Sequence, residues 1–477
     1  MGIKNLLKLL KAVTVKAKIT NFSGKTAAID ASAWLYKGIY SCSWELATKV
    51  PTHGYLSYPL KMVDLLLKHS IKPILVFDGL TLPLKENVVS KRKSDKEKNK
   101  EVAEGLLAEG KNEKAATMFA RCMSIKSYMI YNFMDVLHKM NVEYVVAPYE
   151  ADAQIAYLCK EKIADFAISE DSDLLVYGCQ NLVFKLDLEG NCENIVVNET
   201  LRNKEYKKSI PKGPTKDLAS LSPDAFMDLC IMSGCDYLEN IPGFGLKKAL
   251  KMLKNCTLEQ TIRMLYRNKV YRDKVPEDFL EKINKIKLQF LYGRVIDPRT
   301  YTITQINPLP NDVSDEHIDG LGQIFDSTLI EPYAKGIYSM RENEYRERMK
   351  DTEIQDMLKE IVLSNMQKMN MENKRKGYVK GLNPNITKGL EAKNTSEAKE
   401  INEEEKEMID LFPKKSTNKT KKKENSQLNR YGRGDVVDKG VCGKRRFYTH
   451  FNGDSLVYYF KNHTKRFKEE EVKPNAT

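Results

Sequence analysis

Four short strings in this chain of 477 residues each run from apolar residues into a carboxylate: Ala-Ala-Ile-Asp30, Ile-Leu-Val-Phe-Asp78, Tyr-Val-Val-Ala-Pro-Tyr-Glu150-Ala-Asp152 and Phe-Ala-Ile-Ser-Glu-Asp171-Ser-Asp173. A fifth carboxylate follows in Ser-Gly-Cys-Asp236. Each apolar run reads as a strand buried on both faces, as parallel strands are. In an open α/β sheet the carboxyl ends of such strands face one crevice. Acids far apart in sequence are therefore expected to meet there. Seven carboxylates at one place cannot all stay ionised without cations. All-oxygen donors suit Mg²⁺ or Mn²⁺, hard ions that act on phosphates, so the pattern points to a two-metal phosphodiesterase.

The spacing predicts strands at Thr26–Ile29, Pro73–Phe77, Glu143–Ala147, Phe166–Ser169 and Val183–Leu186. Helices are expected over residues 3–13, 55–69, 128–140, 151–162 and 223–233, and a Lys/Pro-rich loop over 202–221. Between Lys85 and Met129 two helices are expected, the first polar all round, as helices that bridge solvent or meet a polyanion are. Its first part, 85–100, holds seven Lys/Arg against three acids. Standing just after Asp78, those cations could hold a phosphate; the plainer alternative is a solvated face.

Asp171 and Asp173 read singly as a helix N-cap. Residues two apart on a helix do not face each other, so both pairs, Asp171/Asp173 and Glu150/Asp152, need a turn to share an ion. Repetition at four strand ends favours the metal reading. Trp34 reads as core and Tyr36 as a ring able to stack on a base. Ile241-Pro-Gly243-Phe-Gly245 reads as a glycine turn opening a helix, where backbone N–H groups receive a phosphate. Lys247, Lys248 and Lys251 just beyond favour DNA over a plain interhelical turn.

The formal charge of +13 suggests a polyanionic partner. Most of it sits late: residues 371–477 hold 25 Lys/Arg against 16 Asp/Glu, a net of +9, leaving +4 for the first 370. From about 370 the composition cannot offset its ordering entropy, and a disordered basic tail is expected over 370–477. Within it, Pro413 to Lys423 reads as a nuclear localisation signal or a solvated charge run, and Lys444–Tyr448 as a short docking motif. Nine scattered cysteines without a CxxC pair, and no stretch apolar enough for a bilayer, point to a reducing intracellular compartment and no membrane.

The strings MGIKNLL, VFDGLTLPLK, APYEADAQIAYL, SEDSDLLVYGC and SGCDYLENIPGFG together resemble the Rad2/XPG superfamily of structure-specific 5′ nucleases. Within it the likeness is to the exonuclease branch more than to the flap endonucleases, and it covers about residues 1–350. The resemblance implies a 5′ nuclease (PIN-like) fold: a mostly parallel central sheet flanked by helices, a helical arch over 85–130, and a helix–two-turn–helix element over 226–300. It divides the chain into an XPG-N region (1–99), an XPG-I region (138–225) and a C-terminal part of the core (301–350).

The family also implies roles. Asp30, Asp78, Glu150, Asp152, Asp171, Asp173 and Asp236 would bind two Mg²⁺, with Mn²⁺ able to substitute. The first four would favour one ion and the last three the other, with Asp152 bridging. Lys85 and Arg92 would contact the scissile phosphate, and Gly2 would pack near the active site. Ser233 and Gly243–Gly245 would hold K⁺ against a DNA phosphate. Ser32 stands where the branch often has an aromatic residue, and Tyr36 where it has a stacking histidine. The implied activity is 5′→3′ exonucleolytic attack on duplex DNA with recessed, nicked or flapped 5′ ends, by a nuclear monomer in DNA repair, with mismatch-repair proteins docking on the tail. The alternatives are a flap endonuclease and a non-catalytic DNA-binding scaffold. All seven acids are present, which leaves the scaffold little room.

Overall fold

The computed structural model describes residues 2–196, 210, 212–310, 321–323 and 325–361. The tail and its two motifs lie outside the described residues, as do 202–209 and 211 of the expected loop and 311–320 and 324 of the expected C-terminal core.

Seven strands form one sheet: β1 (Val15–Lys18), β2 (Thr26–Asp30), β3 (Lys72–Phe77), β4 (Glu143–Val146), β5 (Phe166–Ile168), β6 (Asn181–Phe184) and β7 (Asn191–Val196). Their order is β1-β7-β6-β5-β2-β3-β4. From β6 to β4 every pairing is parallel; β7 runs antiparallel to β6, and β1 to β7. Ala27, Ala28, Ile29, Leu75, Val76, Phe166 and Ala167 are fully buried, as strands covered on both faces require.

The helices are α1 (Leu6–Leu10), α2 (Ala31–Ser41), α3 (Ser43–Ala47), α4 (Ser57–Lys68), α5 (Glu86–Ala108), α6 (Asn112–Cys122), α7 (Ser127–Lys139), α8 (Ala151–Lys160), α9 (Asp173–Val176), α10 (Pro214–Ser220), α11 (Pro223–Met232), α12 (Leu246–Leu253), α13 (Leu258–Arg267), α14 (Phe279–Tyr292) and α15 (Ser327–Ala334). A hairpin of β8 (Arg294–Asp297) and β9 (Thr302–Gln305) follows α14. The buried amide of Gln154 ties α8 to β8, donating to the Ile296 carbonyl at 2.7 Å and accepting its N–H at 2.8 Å.

Helix α5 spans 23 residues, about 35 Å at the α-helical rise. Among its described side chains only Ala103 is fully buried; it joins Ala115 and Phe119 of α6 in a small separate core. The first helix of this pair is polar almost all round, as read from its composition.

Three elements differ from the sequence reading. Residues 3–13 break into α1 and a 3₁₀ turn over Lys11–Val13 instead of one helix, yet Ile3, Leu6, Leu10 and Val13 still reach the core. The strand expected at 183–186 lies at 181–184, because its pairing with β7 begins at Asn181. The expected loop at 202–221 contains α10, whose Pro214 stands at the first helical position, where a missing N–H costs nothing. Strands β1 and β7 were not expected; β1 carries exposed lysines and lacks an apolar run.

Among the described residues no helix is long and apolar enough to cross a membrane.

Candidate active site

The parallel strands deliver their acids to one edge. Asp30 is the last residue of β2, and in register Asp30 pairs with Val76, so β3 ends beside it one residue before Asp78. The chain after β4 turns through Pro148 into α8, carrying Glu150 and Asp152. The chain after β5 turns into α9, carrying Asp171 and Asp173. Asp236 comes from a different element, the turn after α11, closed by the bridge between Cys235 and Leu238.

Local bonds fix Asp30, Asp78 and Asp171. The Ala33 N–H donates to Asp30 Oδ1 at 3.1 Å, capping α2, and the Ser169 hydroxyl reaches Asp30 Oδ2 at 3.4 Å. Asp78 accepts the Ser32 hydroxyl at 2.6 Å and the Ala151 N–H at 3.0 Å, the latter at the positive end of α8. Asp171 accepts the Asp173 N–H at 3.0 Å in the turn before α9, whose N-cap is Ser172, so the helix-cap alternative for the two acids does not hold. Gly2, at φ +81°, lies against the same turn. A Cβ there would come within 2.2 Å of Asp171 Oδ1 and 2.9 Å of Asp173 Oδ1, and only glycine fits. The Ile3 N–H bonds Ser172 Oγ at 2.8 Å and anchors that approach.

Burial and mutual repulsion dominate the electrostatics. Burial, then the Asp78 charge, lifts the Asp30 carboxyl to about 7. Burial, then Asp171, Asp30 and Asp173, holds Asp152 well above the carboxylate range. Asp173 is raised in the same way by burial, Asp171 and Asp236, and its Oδ1 is buried without a hydrogen-bond partner. Burial also raises Asp171 and Glu150. Burial alone would raise Asp236, but Lys85 and Arg92 outweigh it and its pKa falls.

Two cations stand at the rim. Lys85 Nζ is 2.5 Å from Glu150 and 3.5 Å from Asp236, and Arg92 Nη2 is 2.8 Å from Asp236. Among the described residues no three acids close around one coordination point; Lys85 and Arg92 occupy oxygens of Glu150 and Asp236 on that side. Glu150 thus shares a cation with Asp236, a pairing across the expected grouping of Glu150 with Asp30 and Asp78. The charges of Asp171, Asp30 and Asp173 all act on Asp152.

Tyr237 escaped the sequence reading. Its hydroxyl donates to Glu150 Oε2, and it meets the Tyr177 hydroxyl at 2.6 Å. Its ring lies 4.8 Å beneath the Lys85 ammonium, within cation–π range. The only signal was its place directly after Asp236.

Of the other expected contact residues, Tyr36 stands on the helix that Asp30 caps and Ser233 ends the helix before Asp236, whereas the glycine turn opens α12. Tyr36 is exposed on α2, with the Lys96 ammonium 5.5 Å from its ring, whereas Trp34 is buried. Gly243 takes φ +82° in the turn before α12, and Gly245 caps that helix. Lys247 and Lys248 are exposed. Lys248 donates to the Gly243 carbonyl at 2.7 Å and to the Tyr271 hydroxyl at 2.6 Å. The buried Ser233 hydroxyl turns back to the Leu229 carbonyl at 2.5 Å.

Residues 1–99 match the XPG N-terminal domain and residues 141–236 the XPG I-region. Exonuclease 1 of Xenopus laevis is 37% identical over 326 residues, 68% of this chain and 43% of that protein. Exodeoxyribonuclease 1 of Schizosaccharomyces pombe is 35% identical over 337 residues, 70% of this chain and 57% of that protein. The DNA damage-inducible protein DIN7 of Saccharomyces cerevisiae is 31% identical over 319 residues, 67% of this chain and 72% of that protein. The chain thus spans about two fifths to three fifths of the length of the exonuclease 1 relatives it matches. The two matched regions take in the five acid-bearing strings and end on Asp236, and the chain belongs to the Rad2/XPG superfamily of 5′ nucleases, in its exonuclease 1 branch.

Proposed function

We propose that this protein is a divalent-metal-dependent 5′→3′ exonuclease of duplex DNA that also cuts 5′ flaps. The observation that carries the proposal is the acid crevice: buried carboxylates pushed up in pKa, one Asp173 oxygen without a partner, and an ammonium between Glu150 and Asp236. Such a donor set fits hard cations. Asp30, Asp78, Glu150, Asp152, Asp171, Asp173 and Asp236 would hold them. When bound, two divalent ions supply Lewis acidity and lower the pKa of a coordinated water.

The chain's own residues do the rest. Lys85 and Arg92, at the rim and on the helix after Asp78, take the charge of the scissile phosphate. Gly2 leaves the space beside Asp171 and Asp173 open. Tyr36 offers an exposed ring to a terminal base, and the turn of Gly243–Gly245 with Lys247 and Lys248 grips a phosphate farther along the duplex. A potassium ion at Ser233 and Gly243–Gly245 would have to share the Gly243 carbonyl with Lys248.

Lys85→Ala is expected to slow single-turnover cleavage by roughly 10²–10³-fold, with a much smaller change in duplex affinity. Equal losses in both would remove Lys85 from the chemistry. Tyr237→Phe keeps the ring under Lys85 and loses the bond to Glu150. Partners of this kind typically cost about 10–100-fold in metal affinity, so the Mg²⁺ concentration giving half-maximal rate should rise by about tenfold or more. An unchanged Mg²⁺ dependence would make Tyr237 a packing residue only.

A nuclear monomer that meets mismatch-repair proteins through its tail completes the proposal. The basic run of Pro413 to Lys423 and the segment Lys444–Tyr448 support that part, both outside the described residues. A labelled duplex with a recessed 5′ end and one with a 5′ flap, each incubated with Mg²⁺, test the activity. Mononucleotide steps from the recessed end support it. Intact flaps released beside an inert recessed end would move the protein to flap endonuclease.

A further inference from the structure

Residues 2–29 hold six lysines and no Asp or Glu. Residues 241–256 hold four lysines and again no acid. These two segments, far apart in sequence, are joined in space by α10. Helix α10 packs against α1 on one side and α12 on the other. Thr215 donates its hydroxyl to the Leu9 carbonyl at 2.6 Å, and Lys254 of the α12 C-cap pairs with Asp217 at 2.5 Å.

Lys8 and Lys11 stand on α1 and the turn that continues it, and Lys247 and Lys251 on α12, while Lys4 precedes α1, Lys212 precedes α10 and Lys216 lies on α10. Positions three or four apart share a helix face. All are exposed except Lys216, which is half-exposed. None of the seven pairs with a carboxylate among the described residues, and the one acid of α10, Asp217, is engaged by Lys254. One end of this array starts at Gly2, against Asp171 and Asp173; the other ends at the glycine turn. Cations held on three packed helices lose little freedom on meeting a regular row of charges.

We infer that α1, α10 and α12 form a continuous phosphate track for the duplex backbone, running from the acid crevice to the glycine turn. The inference rests on the DNA reading above and adds to it the N-terminal helix and α10 as contact elements. The contacts are to backbone charge alone, so they set affinity and duplex length, not sequence.

The test uses the full chain with EDTA, so that nothing is cut, and a recessed-end duplex titrated between about 50 and 200 mM salt. Lys8→Gln/Lys11→Gln/Lys216→Gln should flatten the plot of log affinity against log salt by about 0.9 for each phosphate no longer neutralised, roughly 2–3 in all. Lengthening the duplex should strengthen binding by the wild type more than by this variant. The Lys8→Arg/Lys11→Arg/Lys216→Arg protein should keep the wild-type slope, which separates removal of charge from a damaged fold. An unchanged slope in a glutamine variant that melts like wild type would overturn the track while leaving the nuclease reading intact. Failure of the wild type to bind any duplex would overturn the nuclease reading itself.

Discussion

Asp173→Asn is expected to abolish cleavage and at the same time make the metal-free protein more stable. Asp173 is buried, and its carboxyl is held well above the ordinary range by burial and by the Asp171 and Asp236 charges. An acid with a raised folded pKa binds protons more readily folded than unfolded, so its contribution is complete at low pH and is lost as pH rises through the folded value. At neutral pH and above, folding with an ionised Asp173 therefore costs free energy. Asparagine has the same shape without the charge. Removing this buried, poorly compensated charge should raise the melting temperature of the metal-free protein. Cleavage should fall on the order of a thousandfold or more, as for loss of a central catalytic group, while duplex affinity survives through Lys85, Arg92 and the glycine turn. Thermal melting in EDTA at pH 8 and single-turnover cleavage in Mg²⁺ read the two effects. A variant less stable than wild type in EDTA would mean the carboxylate is structural. Raising Mg²⁺ should stabilise the wild type and shift the variant less.

The second large effect is far from the crevice. Asp135 of α7 is almost wholly buried and accepts from both Arg346 nitrogens at 2.7 and 3.0 Å, from Arg348 at 3.2 Å and from the Met349 N–H at 3.1 Å. Arg346 also lies 4.8 Å from the Tyr131 ring. This one carboxylate ties residues 346–349, and the helical stretch 351–361 that follows, to the central domain. Asp135→Ala leaves two arginines without their anion. Breaking a buried pair from one side costs roughly 3–5 kcal/mol, a third or more of the stability of many domains. Urea unfolding should show that loss, and Asp135→Asn, which keeps an acceptor, should lose less. A loss under about 1 kcal/mol would mean that the pair behaves as a surface salt bridge.

Much of the site was legible because its logic is local. A strand buried on both faces has to be apolar and has to stop where the chain turns, so an acid at that point announces the crevice. That rule located Asp30, Asp78, Glu150, Asp152, Asp171 and Asp173, but it left the order of the strands open. Asp236 comes from a helix end and was found only because it follows a recognisable string. Hydrogen bonds between distant segments were out of reach. Nothing in the sequence says that Ser32 meets Asp78, that Tyr237 holds Glu150, or that Lys85 settles between Glu150 and Asp236. The edge strand β1 was missed because edge strands are short and polar to avoid further pairing, and β7, which lies between β1 and β6, because Asn191-Cys-Glu-Asn-Ile-Val holds no continuous apolar run. Helix α10 was read as loop because prolines and lysines resemble loop composition, although a proline also opens a helix well. The break after Leu10 left no trace in the apolar spacing, which a 3₁₀ turn continues.

The central claim is that the crevice exists to cut a DNA backbone with bound divalent ions. Hydrolysis of a duplex with a recessed 5′ end, followed in one reaction with Mg²⁺ and then with excess chelator, tests it most directly. Nucleotides are expected to leave the 5′ end in Mg²⁺, with an immediate stop on chelation. An intact duplex in Mg²⁺ and Mn²⁺ alike, bound but uncut, would contradict it.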